Sequence, residues 1–373
     1  MDIDHPLPLL GGLSPRQFMR HHWHKTPLLV RQALPGIAPP LSRAQVFALA
    51  AQDGVESRLV QRDARQWHLQ HGPVGRRARP SIRTPNWTLL VQGLDLHVGA
   101  ARELLERFRF IPDARLDDLM LSYASYDVFL VQVHGRRRWS IGPVDDARLR
   151  PGQPLKLLRH FRPQAQWVLE PGDLLYLPPR WGHDGVAVGE CMTCSVGFRA
   201  PEGAALAAEL LSRAAEAWAD EAPARGPGTG LYADPGQPAT VQPARVPKAL
   251  QGFARSAVRT ALRDAASIDR ALGEVLSEPK AQVWFDAGVP GRGVGGVALH
   301  ARTRMLYDDT CVYLNGVSFE AAGRDANLMR ALADTRHLSA AQMRGLSAGA
   351  RAWVQDWLRA GWLVPMPQRD NRT

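Results

Sequence analysis

With 373 residues the chain is longer than most single domains, and its 45% of hydrophobic residues can fill more than one core. No apolar run reaches the length of a membrane span, and the start MDIDHPLPLL has no basic region before an apolar core. The three cysteines do not make a disulfide framework. We therefore expect a cytoplasmic protein without membrane contact. The 46 Lys and Arg against 36 Asp and Glu give a net charge of +10, which indicates either an acidic partner such as RNA or only the high arginine usage of a GC-rich genome.

The region before residue 110 is predicted to mix helices with short strands. Ser14 followed by Pro15 is typical of a helix start, because Ser caps the first N–H groups and Pro needs no N–H donor there. The predicted elements are a helix from Pro15, a strand over 27–31, a capped helix over 42–52, a hairpin over 55–71 and helices over 86–92 and 101–108.

From Asp117 to Phe198 the sequence consists of short strand-like runs. These runs are DLMLSYASYDVFLVQV, RRRWSIG, QWVLE, DLLYLP and CMTCSVGF. Several short strands at this spacing predict a barrel or a sandwich. The first run, 117–132, contains no Gly, Pro or Asn to mark a turn. It is therefore either one very long strand, or two strands whose connecting loop is absent between Ala124 and Ser125.

Two further regions follow Pro201. One helical face is shared by Leu206, Leu210, Leu211, Ala214 and Trp218. Residues 221–247 are predicted as a linker and 250–262 as a second amphipathic helix, and self-association would cover such faces. Short strands around Asn315-Gly316, with helices over 326–334 and 339–360, predict a winged helix. We therefore predict an α+β protein with a barrel domain (1–200), a helical dimerisation domain (201–285) and a winged-helix domain (286–373).

The run EPGDLLYLPPRWGH, Glu170 to His183, predicts a metal ligand. Gly172 permits a sharp turn, 174–177 read as a buried strand, and two prolines and Gly182 fix the chain just before His183. A neutral imidazole held in this way is a good ligand for iron or zinc. The alternative is a histidine in a surface turn.

The partners of His183 are harder to find. A non-haem Fe(II) site needs two histidines and one carboxylate on one face of the metal. No His-x-Asp or His-x-Glu precedes His183, since Gly135-Arg136 follow His134 and Phe161-Arg162 follow His160. Asp127 lies in the right region but has Ser125, not histidine, two residues before it.

The chain resembles the bacterial ribosomal oxygenases, the cupin-fold JmjC family that hydroxylates an arginine of a large-subunit ribosomal protein. The matching stretches are SRLV (57–60), HGP (71–73), NWTLLVQ (86–92), DDLMLS (117–122), YDVFLVQ (126–132), GRRRW (135–139), EPGDLLYLPP (170–179) and SVGFRAP (195–201). They occur in order over most of residues 15–201, while the later parts are similar in layout. The family carries a glycine-rich loop with His-x-Asp where this sequence passes directly from Ala124 to Ser125.

The resemblance implies a double-stranded β-helix (cupin/JmjC) barrel that uses Fe(II) and 2-oxoglutarate. His183 matches the last of the three iron ligands, and the chain as written has no residue for the other two. Arg137 matches the cosubstrate anchor, and in a strand it points opposite to Arg136 and Arg138, so an inward Arg137 can bind a carboxylate. Thr193 and Ser195 alternate on the strand after His183 and can donate to the cosubstrate, although Thr193 is better explained as an ordinary strand residue.

The leading prediction is an Fe(II)- and 2-oxoglutarate-dependent hydroxylase of an arginine in a large-subunit ribosomal protein, acting as a homodimer, with ribosome or RNA contact through its basic charge. The alternative is a catalytically inactive JmjC-like protein that binds a ribosomal protein or RNA. A DNA-binding regulator ranks last, because residues 339–360 hold only Arg344, Arg351 and Arg359 as basic residues.

Overall fold

A computed structural model of the chain describes residues 2–63, 66–81, 83–120, 127–220, 231–239, 242–263, 265–288 and 295–366. The chain forms two compact units, Met1–Ala200 with Ala281–Val283 and Pro201–Lys280 with Trp284–Thr373. The division into domains at 1–200, 201–285 and 286–373 stays a prediction. Among these described residues no helix is long and apolar enough to cross a membrane.

The first unit contains a helical N-terminal part and a curled antiparallel sheet. Its helices are α1 (Pro15–His21), α2 (Arg43–Ala50) and α3 (Gly99–Glu106). Its strands are β1 (Leu28–Val30), β2 (Ser57–Arg62), β3 (Trp67–His71), β4 (Trp87–Val91), β5 (Leu116–Met120), β6 (Asp127–Pro143), β7 (Ala165–Leu169), β8 (Leu174–Leu177) and β9 (Trp181–Phe198).

The predicted helix starts are confirmed, and one predicted helix is wrong. The side chains of Ser14 and Ser42 each accept a hydrogen bond from the backbone N–H of the Gln three residues later, and the backbone N–H of each Ser donates to the side-chain oxygen of that Gln. Residues 86–92, predicted as a helix, form β4 instead, which pairs with β2 over Ser57↔Val91 to Gln61↔Trp87. A run of Trp, Thr, Leu and Val suits a half-buried strand, and pairing with β2 outweighs any local helical preference.

The main sheet is built around the two long strands β6 and β9. Its strand order is β1-β8-β6-β9-β5, with β7 also paired to β6. The β6–β9 register places Ile141 opposite His183 and Leu130 opposite Ser195. The register shifts around His134, next to Gly135 at φ +58°, and such an irregularity bends the strand pair.

The run 117–132 is not one long strand. Met120 of β5 pairs with Ser195, and Asp127 of β6 pairs with Phe198, so β5 and β6 lie along opposite edges of β9. Ala124 and Ser125, where the sequence lacks the family's loop, lie outside the described residues.

Alternate residues of β6 face two different apolar clusters, as the period of a strand requires. Phe129 and Val131 pack with the N-terminal helices, in the cluster that contains Phe18 and Tyr176. The opposite side, here called the inner face, carries the cluster Val128, Leu130, Trp139, Ile141, Leu169, Leu175 and Leu177. The inner face is also where the predicted site residues lie.

The second unit is helical and contains two small antiparallel sheets of three strands each. Its helices are α4 (Gly203–Asp220), α5 (Lys248–Ala261), α6 (Ala265–Ser277), α7 (Gly323–Thr335), α8 (Ala340–Arg344) and α9 (Ala348–Arg359). Its strands are β10 (Gly296–Leu299), β11 (Met305–Tyr307), β12 (Cys311–Leu314), β13 (Val317–Glu320), β14 (His337–Ser339) and β15 (Leu363–Met366). The strands are ordered β14-β10-β15 in one sheet and β11-β12-β13 in the other. The predicted hairpin turn is confirmed, since Asn315 and Gly316 both have positive φ angles between β12 and β13.

Candidate functional site

The turn before β8 is fixed by one buried carboxylate. Asp173 accepts hydrogen bonds from the N–H groups of Glu170 and Gln32, both at 3.0 Å, and from Arg31 Nη1 at 2.6 Å. Burial alone would raise the pKa of the Asp173 carboxyl, but these hydrogen bonds and the Arg31 charge lower it below its usual value. Gly172 has φ +98°, which a residue with a side chain rarely adopts. The strand leading to His183 therefore starts from a rigid turn.

His183 lies at the start of β9 with its ring on the inner face. Its ring centroid is 5.5 Å from that of Trp139, and both ring nitrogens are buried although the residue as a whole is half-buried. Burial lowers the pKa of His183 to about 4, and the nearby Arg137 charge acts in the same direction. The imidazole is thus neutral at pH 7, which is the form that binds metals.

Gly182 leaves His183 little freedom. A Cβ atom on Gly182 would lie 2.8 Å from the ring of Phe161, so the backbone approaches that ring more closely than any other residue allows. The rigid frame that the sequence predicts around His183 is present.

Arg137 is buried on β6, with 9% of its surface exposed, while Arg136 and Arg138 on either side are exposed. Its Nη1 lies 3.5 Å from Thr193 Oγ1, its Nη2 donates to the Gly185 carbonyl at 3.3 Å, and its guanidinium stands 4.9 Å from the Trp139 ring centroid. Burial lowers the pKa of Arg137, yet a guanidinium remains charged in proteins. The inward orientation expected of Arg137 is observed, and its role as an anchor stays a prediction.

Thr193 and Ser195 both lie on the inner face and differ in their partners. Thr193 Oγ1 donates to Gln132 Oε1 at 2.8 Å, and Gln132 Nε2 donates to the carbonyls of His134 and Gly135. Ser195 is 1% exposed, and among the described residues its hydroxyl has no hydrogen-bond partner. Thr193 is therefore held by a protein partner, whereas the buried Ser195 hydroxyl has none among the described residues.

Gln132 is a site residue that the sequence alone did not single out. Its side chain links Thr193 to the bend of β6 and so positions the hydroxyl that faces Arg137. The sequence feature that could have identified Gln132 is its place at the end of the matched stretch YDVFLVQ, because a buried amide is unusual in an apolar strand.

Among the described residues, the side chains do not form a three-residue iron site. No group of three or more His, Cys, Asp or Glu that could hold a metal occurs in the part of the chain that the structure describes. Residues 121–126, outside that part, are Leu-Ser-Tyr-Ala-Ser-Tyr and contain no histidine or carboxylate. Asp184 follows His183 but is exposed, as expected on the opposite side of a strand.

Asp127, the carboxylate that the sequence placed in the right region, has other partners. It is fully buried, accepts a hydrogen bond from Tyr176 Oη at 2.6 Å, and has His24 Nε2 at 2.8 Å and Arg115 Nη2 at 3.7 Å. Burial raises the pKa of Asp127, although Tyr176 and His24 act against that rise. Because Tyr176 belongs to the cluster opposite the inner face, this carboxylate is directed away from His183.

Two protein families match parts of this chain. The JmjC domain family matches residues 103–206, and the ROXA-like winged helix family matches residues 260–364. The ribosomal protein uL16 3-hydroxylase of Escherichia coli (strain K12) is 34% identical over 241 residues, which is 61% of this chain and 62% of that protein. The probable ribosomal oxygenase of Haemophilus influenzae is 34% identical over 214 residues, covering 53% and 52%. The matched region thus spans less than two thirds of either curated relative.

Solved structures extend the likeness over nearly the whole chain. The X-ray structure of E. coli YcfD has a TM-score of 0.79 at 26% identity and covers 94% of this chain and 98% of its own. YcfD, a ribosomal oxygenase, has also been solved in complex with cobalt and 2-oxoglutarate, and that structure has a TM-score of 0.75 at 27% identity over 94% and 98% of the two chains.

The fold and the buried site define a JmjC barrel joined to a ROXA-like winged helix. The resemblance to the bacterial ribosomal oxygenases is confirmed. The predicted α+β class, with a cupin-type barrel and a winged helix, is confirmed as well.

Proposed function

We propose that this chain binds 2-oxoglutarate and a ribosomal protein, and that its reaction is hydroxylation of an arginine side chain in a large-subunit ribosomal protein. The single observation that carries the proposal is the buried Arg137, which lies against Thr193 on the inner face of a JmjC barrel. The relatives support the target class by their names, and the cobalt and 2-oxoglutarate complex of YcfD supports the cosubstrate. A ribosomal target implies work in the cytoplasm.

The residues present fit 2-oxoglutarate well. Arg137 would hold its distal carboxylate by charge-assisted hydrogen bonds, which are stronger than neutral ones. Thr193, held by Gln132, fixes one side of the guanidinium, and the Trp139 ring lies against it. Ser195 would donate its hydroxyl to the other end of the cosubstrate.

The same residues do not fit Fe(II), the metal that the resemblance implies. His183 is a suitable ligand in its neutral form, but among the described residues no second histidine and no carboxylate form a metal-binding group with it. This observation favours a second candidate function, in which the chain binds a ribosomal protein or RNA without turnover. The net charge of +10 supports a ribosomal or RNA partner under either function.

One experiment separates the two candidates. The full chain is incubated with Fe(II), 2-oxoglutarate and large ribosomal subunits from cells that lack such a hydroxylase, and the ribosomal proteins are weighed by intact mass spectrometry. One added oxygen on an arginine supports hydroxylation. Unmodified subunits that still co-sediment with the chain support binding without turnover. A result that shows no modification and no co-sedimentation would contradict both candidate functions.

We also propose that the chain is a homodimer. Helix α5 has no fully buried side chain among the described residues. Leu250, Phe253 and Val258 on it, and Leu262 at its C-terminal cap, are all at least 36% exposed. Val258 is 59% exposed, and burying such a face in water-free contact is strongly favourable. A second copy supplies the matching face by symmetry.

A further inference from the structure

We infer that the inner face of the barrel binds a free dicarboxylate through Arg137 and Ser195 without any metal ion, so that 2-oxoglutarate, glutarate and succinate are bound about equally well. The inference rests on the second candidate function, binding without turnover. It follows from which parts of the site the chain has kept and which it lacks.

The anion-binding part of the site is intact and buried. Arg137 is 9% exposed, and its guanidinium lies against Thr193 and the Gly185 carbonyl, where it can also donate charge-assisted hydrogen bonds to a carboxylate on the same face. Two further donors lie on the same face, the Ser195 hydroxyl and the Trp139 indole N–H, and both are buried without a hydrogen-bond partner among the described residues. Buried donors of this kind are commonly satisfied by a ligand.

The spacing of these donors suits a short dicarboxylate. Thr193, which touches the guanidinium, and Ser195 lie two residues apart on one face of β9, so their Cα atoms are about 7 Å apart. A five-carbon chain spans about 5 Å between its terminal carbons, because it has four C–C bonds of about 1.5 Å. One carboxylate can therefore meet Arg137 while the other meets Ser195.

Among the described residues, the metal-binding part of the site is reduced to His183. A metal would favour 2-oxoglutarate over succinate, because the oxo oxygen and the adjacent carboxylate can both coordinate it. Without a metal, the oxo group has no metal ion to coordinate, so this source of preference is absent. The selectivity for the oxo group is then lost, while the selectivity for two carboxylates remains.

The test is a calorimetric titration of the full chain, freed of metal with a chelator, with 2-oxoglutarate, glutarate, succinate and the monocarboxylate butyrate. We expect dissociation constants within about threefold for the three dicarboxylates and at least about tenfold weaker binding of butyrate. Addition of Mn(II), a stand-in for Fe(II) that air does not oxidise, should change the affinity for 2-oxoglutarate by less than about twofold.

Single substitutions test whether Arg137 and Ser195 form the dicarboxylate site. Arg137→Gln should weaken dicarboxylate binding at least about tenfold, whereas Arg138→Gln, the exposed neighbour on the same strand, should leave it unchanged. Should Arg137→Gln fail to fold, Ser195→Ala provides the same test by removing a single buried oxygen.

Three results would overturn the inference. The first is a tenfold gain in 2-oxoglutarate affinity on adding Mn(II) without a gain for succinate. The second is that the folded chain binds no dicarboxylate. The third is that the wild type and both site variants bind dicarboxylates equally well. The titration contains no ribosomal component. A gain in 2-oxoglutarate selectivity on adding Mn(II), with intact subunit binding, counts against the inference alone. Absence of all dicarboxylate binding counts also against the proposed binding of 2-oxoglutarate. Lost subunit binding with intact dicarboxylate binding counts against the proposed ribosomal target alone.

Discussion

Arg137 and Trp139 lie two residues apart on the inner face of β6, with the guanidinium 4.9 Å from the indole centroid. The contact is possible because Gly185, opposite Trp139 on β9, has no side chain. A Cβ atom there would lie 2.5 Å from Trp139 Cζ3 and 2.9 Å from Arg137 Nε. The position of the buried Arg137 guanidinium thus depends on a glycine in the neighbouring strand.

Substitution Gly185→Ala should destabilise the protein and weaken carboxylate binding. The added methyl forces Trp139 and Arg137 to move, and overpacking of a filled site costs about 1–3 kcal/mol. Urea unfolding gives the free energy, and titration with 2-oxoglutarate gives the affinity. Val186→Ala, an exposed change on the same strand, is the control, and equal behaviour of the two variants would contradict the close packing described.

Removal of the Thr193 hydroxyl should lower the stability of the protein, whereas removal of the Ser195 hydroxyl should lower its affinity for dicarboxylates. Thr193→Val leaves Gln132 Oε1 without its donor and should cost about 1–3 kcal/mol of stability. Ser195→Ala removes a hydroxyl without a described protein partner and should change stability by less than about 0.5 kcal/mol, while it weakens dicarboxylate binding. Thermal or urea unfolding of both variants decides the point, and a larger loss of stability in Ser195→Ala would contradict it.

Asp173 should contribute stability that disappears in acid. Its pKa is lowered in the folded protein, so its contribution is fully present above the unfolded value of 3.8 and is lost as the pH falls through the folded value. Asp173→Asn should therefore destabilise the protein by about 2–3 kcal/mol at pH 7, since it weakens buried hydrogen bonds to a charged group, and by progressively less below pH 3.8.

Urea unfolding over a series of pH values measures this effect. The control is Asp184→Asn, which changes an exposed carboxylate near His183. An Asp173→Asn penalty that stays constant from pH 7 to the acid range would show that the ionised carboxylate is not the source of the stability.

The exposed face of α5 should mediate self-association. Val258→Asp places a charge on that face and should shift the chain from dimer to monomer, because burial of an unpaired charge is unfavourable. Light scattering coupled to size exclusion measures the mass. Arg255→Asp, an equally exposed change on the same helix, is the matched control, and a wild-type chain that is already monomeric would refute the proposal.

Much of the local structure could be predicted because its causes are local. The caps Ser14 and Ser42, the Asn315-Gly316 turn and the alternation of Arg136, Arg137 and Arg138 depend on residues close together in the chain. Residues 86–92 could not be assigned correctly in this way, because their strand exists only by pairing with β2, about thirty residues earlier.

The sequence by itself determined that His183 stands in a rigid frame without a His-x-Asp partner, since residue identity alone decides which ligands exist. Only the tertiary structure decided which polar groups meet. The β6–β9 register brings Arg137 to Thr193 and leaves the Ser195 hydroxyl without a protein partner among the described residues. The Asp127 side chain bonds to Tyr176, which directs that carboxylate away from the inner face. These contacts join residues about 50 or more positions apart, and a strand register, not local sequence, sets them.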